Sequence, residues 1–218
     1  MRVFLLVVGS TLILAGLAGA HPRTWYASCA DPLVIGHEHD DTIFGSVCGD
    51  DLRGNAGNDF IRGDEGFDTI TGGLGADNVG GDFGNDTMFG GDGPDFMIGS
   101  YGADEIRGDD GDDELYGHND ADRLFGGKGG DEIFGGQQGD TVFGGEGADF
   151  IQGNGGPDTL HGDDNDDYIE GLEGNDHIDC GPGIDTAWGG EGDDTFANCD
   201  GNAHEGSPPA LLRRVRLQ

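Results

Sequence analysis

Residues 126 to 152 read GGKGGDEIF, GGQQGDTVF and GGEGADFIQ, three consecutive nonapeptides with Gly at position 1, Asp at position 6 and an aliphatic residue at position 8. Without a single insertion the same frame runs from Gly36 to Ala197, which is 18 repeats over 162 residues. Position 1 is Gly in every repeat but one, the exception being Cys180; position 4 is Gly in 13 repeats, and position 6 is Asp in all 18, from Asp41 to Asp194. A flexible Gly-rich linker does not hold one acidic position at a constant interval, and a Gly period of nine rather than three excludes collagen.

Each position has a physical reading. Gly at positions 1, often 2, and 4 permits backbone with φ > 0, so six residues are expected to curl tightly with their carbonyl oxygens turned to one side. Positions 7 to 9 alternate about the apolar position 8, which predicts a short strand with one inward side chain. The inward set is Ile43, Leu52, Ile61, Ile70, Val79, Met88, Met97, Ile106, Leu115, Leu124, Ile133, Val142, Ile151, Leu160, Ile169, Ile178, Ala187 and Phe196. One such side chain per nonapeptide contributes roughly 1.5–3 kcal/mol. Ordering nine residues costs on the order of 1–2 kcal/mol each, so a second source of stability is required.

The charge indicates what that source is. The 218 residues include 44 Asp and Glu against 10 Lys and Arg, a formal charge of -34, and the repeats alone hold 41 of the acids and 5 of the bases. No basic face is available for nucleic acid. Stacking so many carboxylates without counter-ions is self-repelling, and a hard cation that takes six to eight oxygens, carboxylate and carbonyl alike, resolves the repulsion. Calcium is that cation, and a single loop offers too few oxygens, so a site is expected between two stacked loops.

In the pattern Gly-Gly-x-Gly-x-Asp-x-apolar-x the chain resembles the repeat-in-toxin, or haemolysin-type, calcium-binding nonapeptide family over residues 36–197. The resemblance implies an all-β fold, a right-handed parallel β-roll (solenoid) in which two nonapeptides make one turn, here about nine 18-residue rungs. It also implies calcium between the loops of repeats n and n+2, bound by loop carbonyls and position-6 carboxylates. At most 16 ions would then be held by Asp59, Asp68, Asp77, Asp86, Asp95, Asp104, Asp113, Asp122, Asp131, Asp140, Asp149, Asp158, Asp167, Asp176, Asp185 and Asp194. Position 4 is His39, Cys48 and Gln138 in repeats one, two and twelve, residues that accept left-handed backbone less readily than the Asp120 and Asn165 found elsewhere at this position. Weak or missing sites are expected near those three repeats.

Cys29 and Cys48 lie 19 residues apart, as do Cys180 and Cys199. With 18-residue rungs, residues i and i+19 fall within disulfide range, so Cys29–Cys48 and Cys180–Cys199 are expected to staple the two ends. The two pairs sit too far apart to share a zinc ion. Residues 27–35 read as a degenerate capping repeat with Val34 inward and Pro32 in place of Asp.

Positions 7 and 9 form the outer faces. Odd repeats carry Phe44, Phe60, Phe96, Tyr116, Phe134, Phe150, Tyr168 and Trp188, whereas even repeats carry only Phe89, Phe125 and Phe143 together with a Thr row that Asp51, Glu105, Arg123 and His177 interrupt. The odd-repeat aromatics pack across strands or form a binding face for self-association, a cell-surface glycan or a protein. The interrupted Thr row argues against ice binding.

Residues 1–20 combine Arg2, an apolar run and Ala18-Gly19-Ala20, the pattern of a signal peptide cleaved after Ala20. The expected organisation is a signal peptide (1–20), an N-terminal cap (21–35), the calcium-binding roll (36–197), and the end of a C-terminal cap with a disordered tail (198–218) containing Arg213, Arg214 and Arg216. The mature protein is expected to be secreted and extracellular, with no membrane span after cleavage. Neither GxSxG nor HExxH occurs, His37 and His39 read as a surface turn, and the flanks of the roll are too short for a catalytic domain. No enzyme activity and no catalytic residue are therefore expected. The role expected is structural or adhesive, with glycan or protein binding through the aromatic face as the alternative.

Overall fold

The computed structural model describes residues 7–8, 11–12, 23–199 and 203–206. Residues 1–22, where the signal peptide is expected, apart from a two-residue antiparallel pairing of Val7–Val8 with Thr11–Leu12, and the tail with Arg213, Arg214 and Arg216 lie outside the described residues. Among the described residues there is no helix, and therefore none long and apolar enough to cross a membrane.

Two parallel sheets of ten and eleven strands make up the body of the chain. Consecutive repeats alternate between them, and neighbouring strands of one sheet join residues 18 apart: Leu124 pairs with Val142, and Ile133 with Ile151. Two nonapeptides thus make one turn. Thr24–Tyr26 pairs with Thr42–Phe44, Leu33–Ile35 with Asp51–Arg53, and Ala203–His204 with Ala187–Trp188, which extends the solenoid from the nine turns of the repeats to about ten.

The strands are longer than the three residues expected. Arg123–Lys128 and Glu132–Gln137 run six residues, from position 7 through position 3 of the next repeat. Lys128 at position 3 still pairs with Asp110 and Glu146 after the chain has bent at Gly127, where φ is 117°.

The glycine positions divide into two kinds. Positive φ occurs at position 2, as in Gly136 (131°) and His118 (78°), and at position 4, as in Gly129 (125°) and Asp120 (72°). Position 1, expected to share that conformation, does not adopt it; its glycine is required for space. A Cβ on Gly126 would overlap Oδ2 of Asp131 and the carbonyl oxygen of Gly144, one turn further on.

Position-8 side chains from the two sheets meet in one continuous core. From Ile43 to Ala187 they are 0–1% exposed, and Val34 extends the stack at 8%. Phe196 is only partly buried against the end of the stack. Disulfides join Cys29 to Cys48 (Cα–Cα 5.3 Å) and Cys180 to Cys199 (5.0 Å), one near each end, so the pairing expected from spacing is the one formed.

Candidate metal centre: two columns of buried carboxylates

The turn that follows each position-4 residue brings the position-6 Asp back under the strand, where it is buried from Asp41 through Asp185. Because the repeats alternate between sheets, these carboxylates form two columns, one along each edge of the solenoid, with an 18-residue step. Within a column each backbone N–H donates to Oδ1 of the Asp one turn later: Asp41 to Asp59 at 2.7 Å, Asp104 to Asp122 at 2.8 Å, Asp176 to Asp194 at 3.0 Å. The carbonyl of the same residue accepts from the next strand, as Asp122 does from Thr141 N–H at 2.9 Å. Each Asp therefore ties three parts of the roll together with one carboxylate oxygen and its backbone.

The second oxygen is the chemically unusual one. From Asp59 through Asp176, and again at Asp194, Oδ2 is buried and has no hydrogen-bond partner. It faces the position-1 glycine of its own repeat and, as far as Asp176, the carbonyl of the position-1 residue one turn on, the space that a Cβ on Gly126 or Gly144 would fill. A buried anionic oxygen without a donor is costly, and protonation is the protein's own relief. Burial pushes the carboxyl of Asp122, Asp158 and Asp167 up to about 8, outweighing the opposing backbone hydrogen bond, with neighbouring Asp charges adding to the rise. The same cause raises Asp59, Asp68, Asp95, Asp104, Asp131 and Asp140 to about 7, and Asp113, Asp149 and Asp176 to about 6. Asp77 and Asp86 shift the same way.

Among the described residues no three His, Cys, Asp or Glu side chains converge on one point. The columns are single file, and any cation there must complete its shell with carbonyl oxygens. Carboxylate plus carbonyl, with no nitrogen or sulfur, is the donor set of a hard divalent cation and suits calcium.

Repeats one and two stand apart. His37 N–H donates to Oδ2 of Asp41, and Ser46 N–H to Oδ2 of Asp50, each at 2.6 Å, so the oxygen left bare in later repeats is already occupied. His39 and Cys48 do not take the left-handed conformation at position 4. Repeat twelve does not share this difference: Gln138 adopts φ 76° and Asp140 keeps its bare Oδ2. The roll imposes the local backbone there, because stacked turns on both sides fix the position whichever residue fills it.

One further set of residues is not visible in the repeat consensus. At position 5, side chains of Asp40, Asn58, Asn85, Asp112, Asp166 and Asn175 accept the backbone N–H one turn on, as in Asn58 Oδ1 from Ala76 at 3.1 Å and Asp112 Oδ1 from Gly130 at 2.9 Å. The signal was the Asx content of position 5, diluted by Ala, Gly and Pro in other repeats.

The odd-repeat aromatics pack on one another rather than standing free. Tyr116 and Phe134 stack at 4.8 Å, and Phe150 and Tyr168 at 5.6 Å. Trp188 stacks on His204 at 4.3 Å. The even face has its own ladder: Arg107 lies 4.6 Å from the Phe125 ring centroid, Phe125 stacks on Phe143 at 5.1 Å, and Phe143 on His161 at 4.6 Å.

No curated protein matches the chain. The family model of the RTX calcium-binding nonapeptide repeat (4 copies) matches residues 53–88, 89–124, 116–151, 143–178 and 175–198, which is well over half of the chain. With its 18-residue turns and its two columns of buried position-6 aspartates, the chain belongs to the family of RTX calcium-binding nonapeptide repeat proteins.

Proposed function

We propose that this is a secreted protein that folds on binding several calcium ions and serves a structural or adhesive role outside the cell, without a catalytic step. The observation that carries the reading is the column of buried, partnerless Oδ2 atoms, from Asp59 through Asp176 and at Asp194, each against the position-1 glycine of its own repeat and, as far as Asp176, beside a backbone carbonyl one turn on. Asp185 occupies the same place in the columns. These carboxylates and loop carbonyls would hold the cations, up to 16 of them. Bound there, calcium would neutralise a local charge that otherwise opposes stacking.

Folding then depends on calcium, because the carboxylate columns do not exist in the unfolded chain and binding energy becomes folding energy. Export is supported by the signal-like residues 1–20 and by two disulfides, which persist in oxidising compartments. An N-terminal sequence of the exported protein starting at His21 would fix the cleavage.

The decisive experiment is far-ultraviolet circular dichroism of the protein with both disulfides intact, first in chelator and then titrated with calcium, with magnesium as control. A cooperative transition from coil to β with calcium alone is expected. A spectrum that calcium leaves unchanged would remove the carboxylate columns as a functioning cation array.

A further inference from the structure

The aromatic rows of the odd-repeat face are interrupted once. Tyr26, Phe44 and Phe60 form one run, with ring centroids 5.4 and 6.1 Å apart. Phe96, Tyr116, Phe134, Phe150 and Tyr168 form another, at 4.8–5.8 Å. Between the runs lies the strand Asn78–Phe83, whose outward positions 7 and 9 are Asn78 and Gly80.

Gly80 is the one glycine at position 9 in the 18 repeats, and nothing in the fold calls for it. Its φ is not positive, and a Cβ there would meet nothing nearer than Nε of Arg62, at 3.9 Å. A glycine inside a strand weakens it and often marks a place where another molecule comes close to the backbone. Above Gly80 is a cavity of about 160 Å³, walled by Phe60, Arg62, Asn78, Asp82, Ile98 and Ser100.

The walls are chemically mixed in a particular way. Phe60 is 37% exposed and offers an apolar ring. Arg62 Nε donates to Oδ2 of Asp82 at 2.8 Å and its Nη2 to Oδ1, so the two charges compensate each other while polar atoms remain at the rim. Asn78 adds an exposed amide and Ser100 a hydroxyl. The volume is below the roughly 300 Å³ at which pockets for drug-sized ligands begin, so the notch suits one ring. The one cation in the walls, Arg62, is already held by Asp82, so an anion finds no uncompensated positive partner there. A wholly apolar ring would leave the amide and hydroxyl without partners. A neutral ring with a C–H face for Phe60 and hydroxyls for Asn78, Asp82 and Ser100 satisfies both kinds of wall.

We propose that the notch over Gly80 is a saccharide subsite that takes one pyranose ring. It rests on the calcium-folded reading, since the notch forms only where the turns carrying Phe60, Gly80 and Ile98 are stacked. The test is saturation-transfer NMR of the calcium-loaded protein with the methyl glycosides of glucose, galactose, mannose and N-acetylglucosamine. Transfer to at least one glycoside is expected, and its loss in Gly80→Phe, which fills the notch and joins the two aromatic runs, with the calcium-induced circular dichroism retained. Should that variant fail to fold, Asn78→Ala and Phe60→Leu are each expected to weaken binding about tenfold or more in a folded roll. No transfer to any glycoside with the calcium transition intact, or transfer that survives Gly80→Phe in a folded roll, overturns the subsite alone. Absence of the calcium transition in the unsubstituted protein, seen before any glycoside is added, overturns both readings.

Discussion

Asp122 and Asp140 stand one turn apart in the same column, and the backbone N–H of Asp122 donates to Oδ1 of Asp140 at 2.8 Å. Oδ2 of each is buried without a hydrogen-bond partner. One oxygen therefore ties the turns together while the other is held for a cation, and two substitutions separate the roles. Asp140→Asn retains an acceptor for the Asp122 N–H and removes the charge, so the calcium concentration at half-folding is expected to rise several-fold. Asp140→Ala also strands a buried N–H, a further cost of about 1–3 kcal/mol. Calcium titrations followed by circular dichroism should rank the midpoints wild type, Asn, Ala from lowest to highest. Equal midpoints for wild type and Asn would mean that the charge at position 6 does not bind the cation.

The raised carboxyls give the metal-free roll an unusual pH dependence. Asp104 at about 7, Asp122 at about 8 and Asp149 at about 6 all lie above the ordinary Asp value of 3.8, chiefly because burial disfavours the charged form. The folded state then binds more protons than the unfolded chain between about pH 4 and 8. Metal-free stability is fully present below the unfolded value and is lost as pH rises through 6 to 8. Calcium competes with those protons, so the calcium-loaded protein is expected to gain stability over the same range. In chelator, circular dichroism should show β content at pH 4.5 that is lost by pH 7.5, and in calcium, thermal melts at the same two values should show the opposite order. The same order in both would separate the bare Oδ2 atoms from cation binding.

The turn length, the inward residues and the two disulfides were legible because each repeats at a fixed interval, and an interval survives single departures such as His118 or Leu172 at position 2. The geometry within the nonapeptide was less so. Gly at position 1 and Gly at position 4 look alike as letters, but Gly126 is required for space and Gly129 for a φ of 125°. Only the neighbouring turn separates the two cases, and a residue one turn away is not part of the repeat's own pattern. The same reason hid the position-5 acceptors: the use of Asn58 becomes apparent only when Ala76 is placed above it.

A glycine required for space and one the fold does not require predict different mutational responses. A Cβ on Gly126 overlaps backbone oxygen of Gly144 as well as Asp131 Oδ2, and backbone cannot rotate away. Gly126→Ala is expected to destabilise the calcium-loaded roll by about 1–3 kcal/mol, the usual range for overpacking. Gly80→Ala, with only Arg62 near its Cβ, should be neutral or slightly stabilising. Calcium-loaded thermal melts of the two variants give the comparison, and equal losses would show that contact with Gly144 and Asp131 is not what requires glycine at 126.

The end staples make a prediction about where the roll opens. Each disulfide closes a 19-residue separation and lies at a terminal turn, which has a stacking neighbour on one side only. A loop of that size is worth on the order of 3 kcal/mol in chain entropy. In a solenoid, contacts run mainly between adjacent turns, so removing a staple should act locally. Cys29→Ser with Cys48→Ser is expected to speed amide exchange over the strands Thr24–Tyr26, Leu33–Ile35 and Thr42–Ser46. Exchange at Leu115 to Ile133, deep in the stack, should stay nearly unchanged when calcium is present, because the turns there are supported from both sides. The matching change at Cys180 and Cys199 should loosen Thr186–Glu191 and Thr195–Ala197 instead. If either pair of substitutions accelerated exchange evenly along the whole roll, the turns would be one cooperative unit and the staples would act on all of it.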